Sequence, residues 1–189
     1  MLDNARRGLE DIDSLDAGRR IPGLHNVAVF GRAVTIALQR LRHIANGFDE
    51  WYGAQVPEKD PLLAYFNKVR NDILKEATSP QVTTVATIKI HGNLVNVLEA
   101  PPPVGANGMF IGEGGTGGSG WFVTLPDGTQ AKYYAALSPA FGSVTIHLPE
   151  APREFLGKTF TDTTVSGIAG RYVAWLSQLV DEAERRFIQ

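Results

Sequence analysis

Cysteine is missing from all 189 residues. That excludes disulfides, thiolate metal sites and a cysteine nucleophile, and it suits a reducing compartment. An excess of one charge is missing too: 18 Lys and Arg stand against 20 Asp and Glu, a net charge of −2. Proteins that grip duplex nucleic acid through its phosphates carry a basic surplus, so that class is disfavoured. No uninterrupted apolar run comes near the roughly 20 residues of a membrane span. The first twenty residues, MLDNARRGLEDIDSLDAGRR, are charged throughout, unlike a secretory leader. The four histidines, His25, His43, His91 and His147, lie far apart and form no H-x-x-x-H pair, so no metal and no cofactor are expected. These absences point to a cytoplasmic, soluble protein of microbial type. A hydrophobic content of 43% with 20% charged residues is ordinary for such a chain.

What is present is clearest over residues 60–77. Asp60 suits an N-cap, because its carboxylate can accept from the free N–H groups of a first turn. Pro61 suits the first helical position. Leu62, Phe66, Val69 and Ile73, joined by Leu63 and Leu74, recur at the three-to-four spacing of a buried helix face. A second helix is predicted over 26–46, with Val27, Phe30, Val34, Leu38 and Leu41 on its apolar side and Arg32, Gln39, Arg40, Arg42 and His43 mostly opposite. Asn46-Gly47 reads as its stop. A third runs from a cap at 162–164 through Ile168, Tyr172, Leu176 and Leu179 to Ile188. Its Asp181/Arg185 and Glu182/Arg186 pairs have favourable i,i+4 polarity. Residues 1–20 read as weakly helical, diluted by Gly8 and closed by Pro22-Gly23. Residues 48–57 read as an aromatic loop, with Trp51 and Tyr52 as candidates to line a pocket or cap the helical hairpin.

From residue 78 β-branched residues take over. Strands are predicted at 82–90, 94–98, 109–111, 121–125, 130–136 and 143–147, with Pro126-Asp127-Gly128 as a hairpin turn. The expected fold is α+β: an antiparallel helical bundle (about 26–77 plus 163–188) interrupted by an antiparallel β-sheet (about 80–150). One domain is expected, with its helical part at 1–78 and 160–189 and the β-rich insertion at 79–150.

Three sequence features are candidates for function. Gly112, Gly114 and Gly117 spell G-x-G-x-x-G, but the dinucleotide mechanism needs a helix N-terminus to follow, and strand-forming Trp121-Phe122-Val123 follows instead. A glycine loop between strands is the reading, with Trp121 beside it as a binding candidate. Ser119, between glycines, lacks the strand-to-helix setting of a nucleophile elbow. The third feature is Arg70-Asn71, at the edge of the apolar face of the 60–77 helix. There the chain resembles the HEPN superfamily of small helical-bundle domains, over residues 26–77. Many HEPN proteins are metal-independent ribonucleases of toxin and phage-defence systems, with Arg, often Asn, and a His a few residues on. Here Asp72, Ile73, Leu74, Lys75, Glu76 and Ala77 follow, and no histidine. The resemblance therefore implies the fold and a dimer-forming habit, without the general acid/base that hydrolysis needs.

Three readings follow. The first is a non-catalytic, HEPN-like interaction protein of a microbial defence, toxin–antitoxin or phage system, binding a protein partner or a second copy of itself. The second is a ribonuclease or nucleotide-binding enzyme with an atypical site of Arg70, Asn71, Lys75 and His43, which would face Arg70 across an antiparallel hairpin. RNA is the less favoured partner on charge grounds. The third places binding in the β insertion and its glycine loop.

Overall fold

Charged as it is, the N-terminal segment is a helix, α1 (Leu2–Ile12), followed by α2 (Arg20–Leu38), α3 (Phe48–Gln55), α4 (Pro61–Asn71) and α5 (Val165–Phe187). The computed structural model describes residues 1–89, 97–113 and 117–188. Asp60 caps α4 as expected: its Oδ1 accepts from the N–H of Leu62 at 2.9 Å and of Leu63 at 3.0 Å. Thr164 caps α5 by accepting from the Gly167 N–H at 3.0 Å. Leu62, Phe66 and Val69 of α4 are buried, as are Ile168, Tyr172, Leu176 and Leu179 of α5. These faces join Leu24, Val27 and Val34 of α2 in one core. Phe66 stacks on Tyr172 with ring centroids 4.1 Å apart.

Several expectations are corrected. The helix expected from residue 26 begins at Arg20, because Pro22 falls in its first turn, where a missing N–H is tolerated. Gly23, read as a breaker, is buried against α1. The same helix ends at Leu38 and tightens into a 3-10 turn, Gln39–His43. The segment at 48–57 is not a loop: Phe48, Trp51 and Tyr52 are buried on α3, with the Phe48 and Trp51 rings against Phe187 of α5 and the Tyr52 ring stacked on Phe48. Beyond Asn71, α4 widens into a π-helical turn, Asp72–Glu76, so Leu74 leaves the apolar face and is 54% exposed. On α5, Glu182 accepts from Trp51 Nε1 at 3.1 Å, and Arg186 lies over the Phe187 ring; neither expected ion pair is present among the described residues. Within the helical segment Ala17–His43 an 18-residue window is long and apolar enough to cross a membrane, with mean hydropathy 1.3 over that window. Here it packs against α1, α4 and α5 as the central helix of the bundle.

The expected α+β class is what the chain forms, with antiparallel strands inserted between α4 and α5. The strands are β1 (Thr83–Ile88), β2 (Ala106–Glu113), β3 (Gly118–Thr124), β4 (Gln130–Tyr134), β5 (Gly142–His147), β6 (Glu154–Phe155) and β7 (Lys158–Thr159). Among the described residues they form not one sheet but three: β1-β5, β2-β3-β4 and β6-β7. The strand content therefore extends past residue 150. Of the expected 94–98 strand, only an isolated bridge, Leu98 to Leu137, lies among the described residues. His91 and the turn around it lie outside them. The Pro126-Asp127-Gly128 turn joins β3 to β4 as predicted, with Gly128 at φ 84° and Asp127 Oδ1 accepting from the Thr129 N–H at 2.9 Å.

Candidate functional site

The bundle brings some sequence candidates together and separates others. Arg70 and Asn71 are joined: Arg70 Nη1 donates to Asn71 Oδ1 at 2.8 Å, and both are half-buried. Lys75 follows in the π turn and is exposed. His43 does not reach this group. α2 and α4 run antiparallel, with Leu63 and Ala64 sharing a cleft wall with Thr35 and Gln39, and Ser79 beyond α4 meeting His25 near the start of α2. Arg70 therefore lies toward the beginning of α2, while the exposed His43 follows its end. Along a helix rising 1.5 Å per residue, that is a separation on the order of 15 Å. No group of three or more His, Asp or Glu side chains that could hold a metal occurs among the described residues.

The glycine loop is a connection between β2 and β3, as its strand neighbours predict. Gly112 and Gly117 stand at φ 69° and 77°, a conformation that glycine adopts without strain. Gly114 lies outside the described residues. Past the loop, strand register assembles a surface. Met109 pairs with Trp121, and Trp121 with Tyr133, so the three side chains stand in a row on one face of the sheet. Met109 is 40% and Tyr133 48% exposed. Trp121 between them donates from Nε1 to the Ala100 carbonyl at 3.2 Å, which fixes the ring. The opposite face carries Phe110, 5.6 Å by ring centroid from Tyr134.

A second feature has no counterpart among the sequence candidates except Tyr52. A cleft of about 590 Å³ opens between α2, α3, α4 and α5. Its floor is a hydrogen-bond chain: Gln39 Nε2 donates to the Tyr52 hydroxyl at 3.2 Å, Tyr52 to the Thr35 carbonyl at 3.3 Å, and the Thr35 hydroxyl to the Arg32 carbonyl at 2.9 Å. Arg32 Nη1 returns a bond to the Thr35 hydroxyl at 3.1 Å. Arg42 at the rim is paired with Asp49 at 3.3 Å. Tyr172 reaches the cleft from α5 because Gly31 faces it: a Cβ there would stand 2.4 Å from the ring. Burial pushes the Tyr172 phenol well above its usual range, with Arg32 pulling the other way. The hydroxyl therefore stays protonated at neutral pH. Arg32 was read only as part of a polar helix face, and Tyr172 only as core. Each sits where its periodicity put it; their meeting depends on how the helices pack.

No protein family, characterised protein or solved structure matches the chain.

Proposed function

We propose that the chain is a non-catalytic, HEPN-like interaction protein that holds a protein partner on its β insertion. The carrying observation is the Met109–Trp121–Tyr133 row on the β2-β3-β4 sheet, with Met109 and Tyr133 exposed. Tryptophan and tyrosine are among the residue types that dominate the energetics of protein interfaces, and methionine is enriched there; the anchored Trp121 loses little freedom when covered. In the neighbouring β1-β5 sheet, Thr83–Ile88 contains no charge, and Val85 and Ile88 are exposed on opposite faces of the strand. The non-catalytic reading is supported at Arg70, whose acceptor is Asn71 and whose expected acid/base, His43, stands at the other end of α2. The setting in microbial defence, toxin–antitoxin or phage biology rests on the Arg70-Asn71 resemblance.

A double substitution tests the surface. Met109→Glu with Tyr133→Glu is expected to leave the melting temperature within a few degrees of wild type, since both residues are exposed on the sheet face rather than in the core. It is also expected to abolish stoichiometric co-purification of the partner from the native host, measured by mass spectrometry. A partner retained in full by the folded double variant would place the interface elsewhere. A wild-type protein that emerges alone, or with bound RNA fragments, would end the reading.

A further inference from the structure

The cleft between α2 and α5 contains donors that the protein leaves unused. Tyr172 is 3% exposed, yet among the described residues its hydroxyl has no hydrogen-bond partner. Buried polar groups are paired with few exceptions, and an exception calls for a reason. Arg32 stands beside it. Of its five N–H donors one is used, on Thr35, and no carboxylate lies within ion-pair distance among the described residues. A half-buried guanidinium without a counter-charge, next to an idle buried hydroxyl, is a site shaped for a carboxylate: the fork takes both oxygens and the hydroxyl adds a third bond.

The rest of the rim narrows the choice of anion. Arg42 is neutralised by Asp49, so it adds no net positive charge. Glu58 lines the same cleft, and no Lys, Arg or His lies within ion-pair distance of it among the described residues. The cleft thus carries one uncompensated positive charge and one uncompensated negative charge. A phosphate or a polyphosphate would meet too little positive charge and be repelled by Glu58. A molecule with a carboxylate at one end and an ammonium at the other satisfies both. Its volume is within the range of small-ligand sites, about 300–1,000 Å³, and leaves room for a side chain or a second residue against the buried rings of Tyr52 and Trp175.

We propose that this cleft binds an amino acid or short peptide as its zwitterion, the carboxylate on Arg32 and the Tyr172 hydroxyl, the ammonium toward Glu58. This site is separate from the β-insertion surface and does not depend on it.

The test uses the full chain and calorimetric titration with three probe sets. These are free L-amino acids and simple dipeptides, the corresponding 2-hydroxy acids, which lack the ammonium, and inorganic phosphate. At least one amino acid or dipeptide is expected to bind wild type. Arg32→Gln should weaken that binding tenfold or more, and Tyr172→Phe severalfold. Glu58→Gln, an exposed change that spares the core, should abolish the preference for the amino acid over its hydroxy analogue. A dipeptide preferred over free amino acids would set the charge separation one residue longer, roughly 3.5 Å. Four results overturn the proposal: no zwitterion binds wild type; binding is unchanged in folded Arg32→Gln; the hydroxy acid binds wild type as tightly as the amino acid; or phosphate binds in preference to either.

Discussion

Gly23→Ala is expected to destabilise the protein by about 3 kcal/mol, the upper part of the range for overpacking a close contact, and to lower its melting temperature by roughly 6–12 °C. A Cβ at Gly23 would stand 2.6 Å from the Gly8 carbonyl oxygen, 2.8 Å from Asp11 Cβ and 2.9 Å from the Ile12 nitrogen. The reciprocal holds at Gly8, where a Cβ would meet the Gly23 carbonyl oxygen at 2.7 Å. The obstacles are mostly backbone, so no side chain can swing aside; the two helices must separate. Once they have, a second methyl costs less, and the Gly8→Ala/Gly23→Ala double variant should lose less than the sum of the singles. Gly170 provides the control. It lies within α5, where a Cβ would meet nothing within 4 Å beyond its chain neighbours and the helix's own backbone, so Gly170→Ala should stabilise by about 0.5–1 kcal/mol. Denaturant unfolding of the four variants reads both signs. Equal, small effects at Gly23 and Gly170 would mean that α1 does not cross α2 at this pair.

Asp60→Ala is expected to be comparably severe, at about 2–4 kcal/mol, from two losses. One is the cap itself, about 1 kcal/mol and up to 2. The other comes from Asp60 Oδ2, which accepts from the Leu156 N–H at 2.7 Å. Removing that acceptor strands a partly buried donor, at about 1–3 kcal/mol. Leu156 stands at φ 49° and Gly157 at φ 73° in the turn between β6 and β7. Such turns favour Asn-Gly or Asp-Gly, and a leucine there needs an outside hold. The carboxylate of Asp60, 5% exposed, provides that hold and ties the hairpin to α4. Asp60→Asn separates the two roles: with its oxygen toward Leu62 and Leu63 it can keep the cap, but its NH₂ cannot accept from Leu156. It should recover the cap's share of the loss, with faster amide exchange at Leu156 than in wild type. Wild-type stability in Asp60→Ala would refute both roles.

Asp60 also marks how far local reading reaches. Its cap, Pro61 and the spacing of Leu62, Phe66 and Val69 are short-range features, and each was legible because the interactions they imply close within a turn or two. The same holds for Thr164 at the head of α5 and for the Pro126-Asp127-Gly128 hairpin. Legibility failed where one residue type serves two purposes. Gly8 and Gly23 have the composition of helix breakers, yet a missing side chain equally permits two backbones to touch. Trp51 and Tyr52 looked like a loop because residues 48–57 are too few to show a period. At the candidate sites, the Met109–Trp121–Tyr133 row needed strand register, which no single strand contains. Arg32 and Tyr172, 140 positions apart, needed the packing of α2 on α5.

The amino-acid sequence by itself determined the α+β class, the caps and the stripes of the longest helices, and the absence of cysteine chemistry. These follow from residue identity, periodicity and bonds between near neighbours. Tertiary structure alone decided that two glycines form a helix crossing, that the described strands of the insertion divide into three small sheets, and that a buried tyrosine and an arginine without an ion-pair partner among the described residues share a cleft. Each of those outcomes depends on distances between segments that the chain brings together only when its apolar faces pack.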